Sequence, residues 1–158
     1  MHRSDSPYRV PLRQIPPDGL DLEFDLSGAF ARQALQGTEV DAASAKLAAR
    51  VHLQRVVQDV FVRGQVAGRV TLPCSRCAKQ AELPIDAPFE VTFVPPEKDG
   101  RAGDTDGADE VELSAAELDV APYDGEAVEL EETLREQILL AFPIAPLCRE
   151  ACKGLCSR

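Results

Sequence analysis

Val60-Phe61-Val62-Arg63-Gly64-Gln65-Val66-Ala67-Gly68-Arg69-Val70-Thr71-Leu72-Pro73-Cys74-Ser75-Arg76-Cys77 decides the reading of this chain. Val60, Val62, Gly64, Val66, Gly68, Val70 and Leu72 share one parity; Arg63, Gln65, Arg69 and Thr71 fall on the other. A period of two over that length is a β-strand with one face on a core. Gly64 and Gly68 lie on the inward parity, where a strand bends or another backbone comes close. The alternation ends in phase with Cys74, which opens a C-x2-C pair with Cys77. Upstream, from Lys46, residues Leu47, Ala49, Val51, Leu53 and Val57 hold one parity, and a change after Gln58-Asp59 marks a turn or bulge. Downstream, Ala81, Leu83, Ile85, Ala87, Phe89, Val91 and Phe93 alternate with Glu82, Asp86, Glu90 and Thr92. Pro84 and Pro88 limit ladder pairing there, so this third strand is expected to be interrupted or at an edge. Together the three predict an antiparallel meander with the C-x2-C at one hairpin tip.

The flanks add shorter elements. Tyr8-Arg9-Val10-Pro11-Leu12 reads as an edge strand and Pro16-Pro17-Asp18-Gly19 as a turn. Leu20 to Leu26 alternates apolar and acidic residues, a half-buried strand. Ser27 is placed to cap a short helix through about Leu35, ended by Gly37. Pro95-Pro96 stops the meander. Residues 97–110 are charged and glycine-rich with almost nothing to bury, and read as a mobile acidic loop. Asp104-Thr105-Asp106-Gly107 lacks the ligand spacing of a calcium loop. Val111-Glu112-Leu113 and Ala127-Val128-Glu129-Leu130 read as strands, and Leu130 to Phe142 as a helix. Glu131 and Glu132 suit its first turn, Leu134, Ile138 and Ala141 form its apolar face, and Pro143 ends it. The expected fold class is α+β: an antiparallel β-meander core, a short N-terminal helix, and one C-terminal helix leading to a Cys-rich tail. At 158 residues a single domain is expected.

All five cysteines lie in two clusters, Cys74 with Cys77, and Cys148, Cys152 and Cys156 in a C-x3-C-x3-C run. A C-x2-C turn puts two thiolates on one metal ion, and a second pair closes a tetrahedral site. Which two of Cys148, Cys152 and Cys156 complete it stays open. His2 lies in the tail and His52 in a strand, so the site reads as all-thiolate: one structural zinc rather than a catalytic one. The start of the chain has no apolar stretch behind its basic residue, and no apolar run approaches the roughly 20 residues that cross a bilayer. A cytoplasmic protein without a membrane partner is expected, and reduced thiols there favour metal over disulfides. A thiol redox protein is the rival reading. It is disfavoured because a strand, not a helix, follows Cys77. No glycine-rich phosphate loop and no His near a Ser or Cys nucleophile suggests an enzyme or a small-molecule substrate.

The net charge of −10 is unevenly spread. Residues 46–79 carry seven Lys/Arg against one acid, Asp59, a local charge of +6, whereas residues 80–158 carry −13. A basic segment inside an acidic chain is the footprint of a nucleic-acid contact. Its candidates are Arg50, Arg55, Arg63, Arg69, Arg76 and Lys79, contacting RNA phosphates. The competing readings are a solvated strand face and, for the acidic half, an adaptor surface for a basic protein partner.

Leu72-Pro73-Cys74-Ser75-Arg76-Cys77 at a strand's end, the strand with Phe89, the acidic loop, the helix Glu131 to Phe142, and Pro143-Ile144-Ala145-Pro146-Leu147-Cys148 followed by Cys152-Lys153-Gly154-Leu155-Cys156 together resemble the YceD family. These are bacterial and plastid proteins needed for accumulation of large-subunit ribosomal RNA. The resemblance runs from about Lys46 onward. It implies a role in ribosome assembly or ribosomal-RNA processing; the expected function is a non-enzymatic factor that binds large-subunit ribosomal RNA or a pre-ribosomal particle. Family members of this type continue with one more cysteine, with which Cys156 would open a C-x2-C of its own.

Overall fold

The computed structural model describes residues 6–96 and 119–155. Its elements in order are β1 (Arg9–Pro11), a 3-10 turn (Leu12–Gln14), β2 (Leu20–Asp25), α1 (Ala29–Ala34), β3 (Lys46–Val56), β4 (Asp59–Pro73), β5 (Gln80–Val94), β6 (Val120–Pro122), β7 (Ala127–Glu129) and α2 (Glu131–Leu140). One sheet has the order β2-β3-β4-β5-β6 and is mostly antiparallel; the pair β5-β6 is parallel, with Thr92 opposite Val120. A second, antiparallel sheet pairs β1 with β7, Arg9 opposite Glu129. The class is α+β, with the expected meander, short N-terminal helix and C-terminal helix. Residues 97–110 and Val111-Glu112-Leu113, expected as a loop and a strand, lie outside the described residues.

The chain groups into two compact units, and β3, β4 and β5 each contribute to both. The first unit draws on Met1–Leu22, Val51–Gly64 and Phe89–Glu132. Its buried side chains include Leu53, Val60, Val62, Phe93 and Val128. Val57 and Gln58 turn β3 into β4, and Tyr123 Oη donates to Gln58 O at 2.6 Å. Val57 was expected on the inward parity of β3, but it sits in the turn with φ +59° and is 83% exposed. A two-residue hairpin turn needs positive φ, and here a β-branched residue adopts it. Gly64 makes room for the ring of Phe89, since a Cβ there would lie 2.6 Å from Phe89 Cε1.

The second unit draws on Glu23–Arg50, Gln65–Pro88 and Thr133–Arg158. Leu26, Leu47, Val66, Val70, Leu134 and Ile138 are buried in it. Ser27 does not cap α1. Its hydroxyl donates to Leu47 O at 3.3 Å and accepts from Leu47 N at 3.1 Å, and Gly28 occupies the cap position with φ +62° and no side-chain bond. The serine is taken by the neighbouring strand before the helix can use it. Gly68, with φ +150°, lets Lys46 O approach so closely that a Cβ would overlap it. Strand β5 is continuous through Pro84 and Pro88 rather than interrupted. Thr92 N donates to Asp119 O at 2.8 Å, on the side of β5 where β6 pairs only over Thr92–Val94. Both prolines share Thr92's parity, so each missing N–H faces the side away from β4 and no ladder bond with β4 is lost.

Candidate metal centre

Strand β4 ends at Pro73 and delivers Cys74 into a tight turn. Cys74 N donates to Lys79 O at 2.9 Å and Ala78 N donates to Cys74 O at 2.9 Å. Ala78 takes φ +59°, which reverses the chain into β5. The second turn follows α2. Cys152 N donates to Arg149 O at 3.1 Å, and Gly154 takes φ +83° just beyond. The two turns are hydrogen-bonded to each other across about seventy residues of sequence. Ser75 N and Ser75 Oγ both donate to Pro146 O, at 2.8 and 3.0 Å, and Arg76 donates to Cys152 O at 3.0 Å. Leu147 packs against buried Cys74, Cys77 and Cys152.

This brings the sulfurs of Cys74, Cys77, Cys148 and Cys152 within 4.8 Å of one another. Cys74 and Cys152 are 3.8 Å apart, and Cys77 and Cys148 are 3.7 Å apart. Four sulfurs each about 2.3 Å from one tetrahedral ion would lie about 3.8 Å apart, so the donor set fits a thiolate-bound metal. A disulfide needs about 2.05 Å, and all four cysteines are free. Cys156, the fifth candidate, lies outside the described residues.

The thiols are electrostatically unequal. Amide N–H groups of Cys148, then of Cys77 and Arg76, point at the Cys74 sulfur and, against burial, bring its pKa down to about 6. Cys148 is pushed up to about 12, first by its hydrogen bond to Cys77 and then by burial and Cys152. One sulfur is thus prepared as a thiolate while its neighbour keeps its proton among crowded sulfurs. A cation placed among them removes that crowding and favours ionisation of all four.

A family model described as Large ribosomal RNA subunit accumulation protein YceD matches residues 62–158. That span is more than half of the chain and holds both cysteine turns, β5, α2 and most of β4. The chain belongs to the YceD family. Comparisons with curated proteins and with solved structures return no match.

The candidate RNA-contacting residues of this YceD chain divide into two groups. In the second unit Arg50 pairs with Glu23 at 2.7 Å and Arg69 with Glu82 at 2.6 Å. In the first, Arg63 pairs with Glu90 at 3.1 Å, and Arg55 Nε donates to Val57 O at 3.1 Å. Arg50, Arg63 and Arg69 thus each face an acid of a neighbouring strand in an exposed pair, whereas Arg55 bonds a backbone carbonyl. Arg76 and Lys79 lie instead in the first cysteine turn. Arg149 and Lys153, absent from the sequence-based set, lie in the second, and both are exposed. Charge averaged over residues 80–158 hid them, because the acids elsewhere in that segment outweigh two cations between cysteines.

Proposed function

We propose that this chain is a non-enzymatic assembly factor for the large ribosomal subunit that binds ribosomal RNA or a pre-ribosomal particle in the cytoplasm. The observation that carries this reading is the YceD match over residues 62–158. One structural zinc on Cys74, Cys77, Cys148 and Cys152 fits it: zinc accepts four thiolates, and four protein donors leave no position for substrate. Zinc bound there would join the two turns into one rigid knuckle. The residues proposed for RNA contact are the cations of the two cysteine turns, Arg76 and Lys79 with Arg149 and Lys153; the strand arginines Arg50, Arg63 and Arg69 each face a carboxylate.

Filter binding of transcribed large-subunit ribosomal RNA to the full chain, over a salt series, tests the reading. The expected result is binding at low salt, with log K falling linearly in log[salt] by about 0.9 per phosphate contacted in duplex regions. Absence of binding at low salt overturns it. Elemental analysis is expected to give one zinc per chain.

A protein partner is the second reading. Asp124, Glu129, Glu131 and Glu132 line a cleft of about 500 Å³ in the first unit, acidic chemistry suited to a basic ribosomal protein. A pulldown that survives RNase treatment would favour it.

A further inference from the structure

We infer that RNA contact is concentrated on the rim of the cysteine knuckle, where Lys79, Arg149 and Lys153 receive the backbone phosphates of a single-stranded RNA segment and Leu155 offers an apolar surface to an unstacked base. This deepens the proposed function and rests on it. Three observations lead there. The first is the state of the strand arginines. Arg50, Arg63 and Arg69 each have a carboxylate within 3.1 Å, so a phosphate must displace that acid before it binds. An exposed pair of this kind holds little energy of its own, but its net charge is zero, and net charge sets counterion release.

The second is the rim itself. A cleft of about 520 Å³ in the second unit is walled by the cysteine turns together with Lys79, Arg149, Lys153 and Leu155. Lys79, Arg149 and Lys153 are exposed and make no ion pair with any described residue. Glu150 is the one acid in residues 74–79 and 146–155. Long cationic side chains spaced around a cleft, with no acid held against them, match a run of phosphates better than they match a solvated face.

The third is rigidity joined to exposed apolar surface. The bonds from Ser75 to Pro146 and from Arg76 to Cys152 hold the two turns together, so the backbones that carry the three cations border one cleft. Leu155 is 82% exposed at the same cleft. Proteins that bind single-stranded RNA combine a cationic groove with surfaces on which unstacked bases rest, usually aromatic rings; at this cleft the exposed apolar surface is the aliphatic side chain of Leu155.

The cations have one other use: a metal held by four thiolates carries a net charge of about −2, which they would offset. The test separates the two roles. RNA affinity and its salt slope are measured for the full zinc-loaded chain, with short poly(U), duplex RNA and transcribed large-subunit ribosomal RNA as probes. Zinc content and circular dichroism are recorded for every variant. The variants are a knuckle triple (Lys79→Ala, Arg149→Ala, Lys153→Ala), a strand triple (Arg50→Ala, Arg63→Ala, Arg69→Ala) and Leu155→Ser. The knuckle triple is expected to bind poly(U) at least tenfold more weakly, with a salt slope reduced by about 2, near 0.7 for each single-strand phosphate lost. The strand triple leaves Glu23, Glu82 and Glu90 unpaired and is expected to lose less affinity than the knuckle triple; with those acids also replaced (Glu23→Ala, Glu82→Ala, Glu90→Ala), so that whole neutral pairs are removed, binding is expected to stay within about threefold of the parent. Leu155→Ser is expected to weaken poly(U) binding without changing the slope, and to leave duplex binding unchanged.

The inference is overturned if the strand triple loses more affinity than the knuckle triple, or if the knuckle triple loses zinc but keeps its RNA affinity. If the knuckle triple loses both, the single variants Lys79→Ala and Lys153→Ala decide: zinc retained with weaker RNA binding supports the inference, and unchanged RNA binding overturns it. A parent chain that binds none of the RNAs removes the proposed function itself. A parent that binds, beside a knuckle triple that binds equally well, removes only this inference.

Discussion

Glu129 shows how far one side chain can depart from what its neighbours in sequence suggest. It stands opposite Arg9 in the β1-β7 ladder, where an ion pair would be expected. Arg9 turns instead to Asp124, at 2.6 Å, and Glu129 Oε1 is left buried without a hydrogen bond. Burial, and then the charge of Glu131, raise the Glu129 carboxyl above its ordinary 4.5. Burial also works to raise Asp124, but the amides of Ala127 and Glu126 and the Arg9 guanidinium outweigh it and hold Asp124 low. The signs are opposite. A raised carboxyl binds its proton more tightly in the folded state, so its contribution is present at low pH and is lost as pH rises through the raised value. Asp124 contributes above the ordinary carboxylate range and loses that contribution as pH falls. Glu129→Gln is therefore expected to flatten the decline in stability above pH 4.5, and Asp124→Asn to flatten the loss on the acid side. Urea midpoints across a pH series check both, and an unchanged profile in Glu129→Gln would contradict the account. Neither group was singled out from sequence, because the ion pair Arg9 chooses depends on a ladder joining residues about 120 apart.

At the scale of elements, the β4–knuckle–β5 hairpin was legible because its signals are local. Alternation fixed the inward face, and Val60, Val62, Val66, Val70 and Leu72 are all buried. The inward glycines mark a bend or a close backbone approach, and at Gly68 it is Lys46 O that comes close. Gly68→Ala is expected to cost more than about 1 kcal/mol, because both the added Cβ and the φ of +150° must be accommodated by parting β3 from β4. A urea midpoint equal to the parent's would refute the close approach. What was not legible depended on other strands. Pro84 and Pro88 suggested an interruption or an edge; β5 runs on without interruption, and over both prolines it is an edge, since β6 pairs only with Thr92–Val94. The parallel pairing of β6 leaves no mark in three residues, Val120-Ala121-Pro122. Ser27 had the sequence position of a cap, but Leu47, twenty residues on, claimed its hydroxyl. In the candidate site the spacing gave the donor type and the first pair. That Cys148 and Cys152 come beside them depends on where the tail after α2 is set down, and Cys156 lies outside the described residues.

Across the whole molecule, the ion would act on one compact unit. Without it, the two cysteine turns are joined by the Ser75 and Arg76 hydrogen bonds and by the packing of Leu147, each a contribution of about 1 kcal/mol. A bound ion adds four strong bonds and closes the chain between residues 77 and 148. At a free concentration of about 100 times Kd it stabilises the folded state by about 2.7 kcal/mol, which in a chain of this size corresponds to a melting temperature about 5–11 °C higher. Chelation is expected to reverse that shift. It should also be selective: amide exchange should speed up in residues 74–79 and 144–155 while the β1-β7 ladder of the first unit keeps its protection. Acid should act in the same direction as chelator, since protons compete with the ion for sulfur. The measurement is hydrogen exchange with and without chelator at matched pH. Equal protection of residues 144–155 in both samples would mean that these turns need no ion to hold them. Loss of protection in the β1-β7 ladder together with the turns would mean that the ion's influence reaches the first unit, in place of the local staple argued from the sulfur geometry.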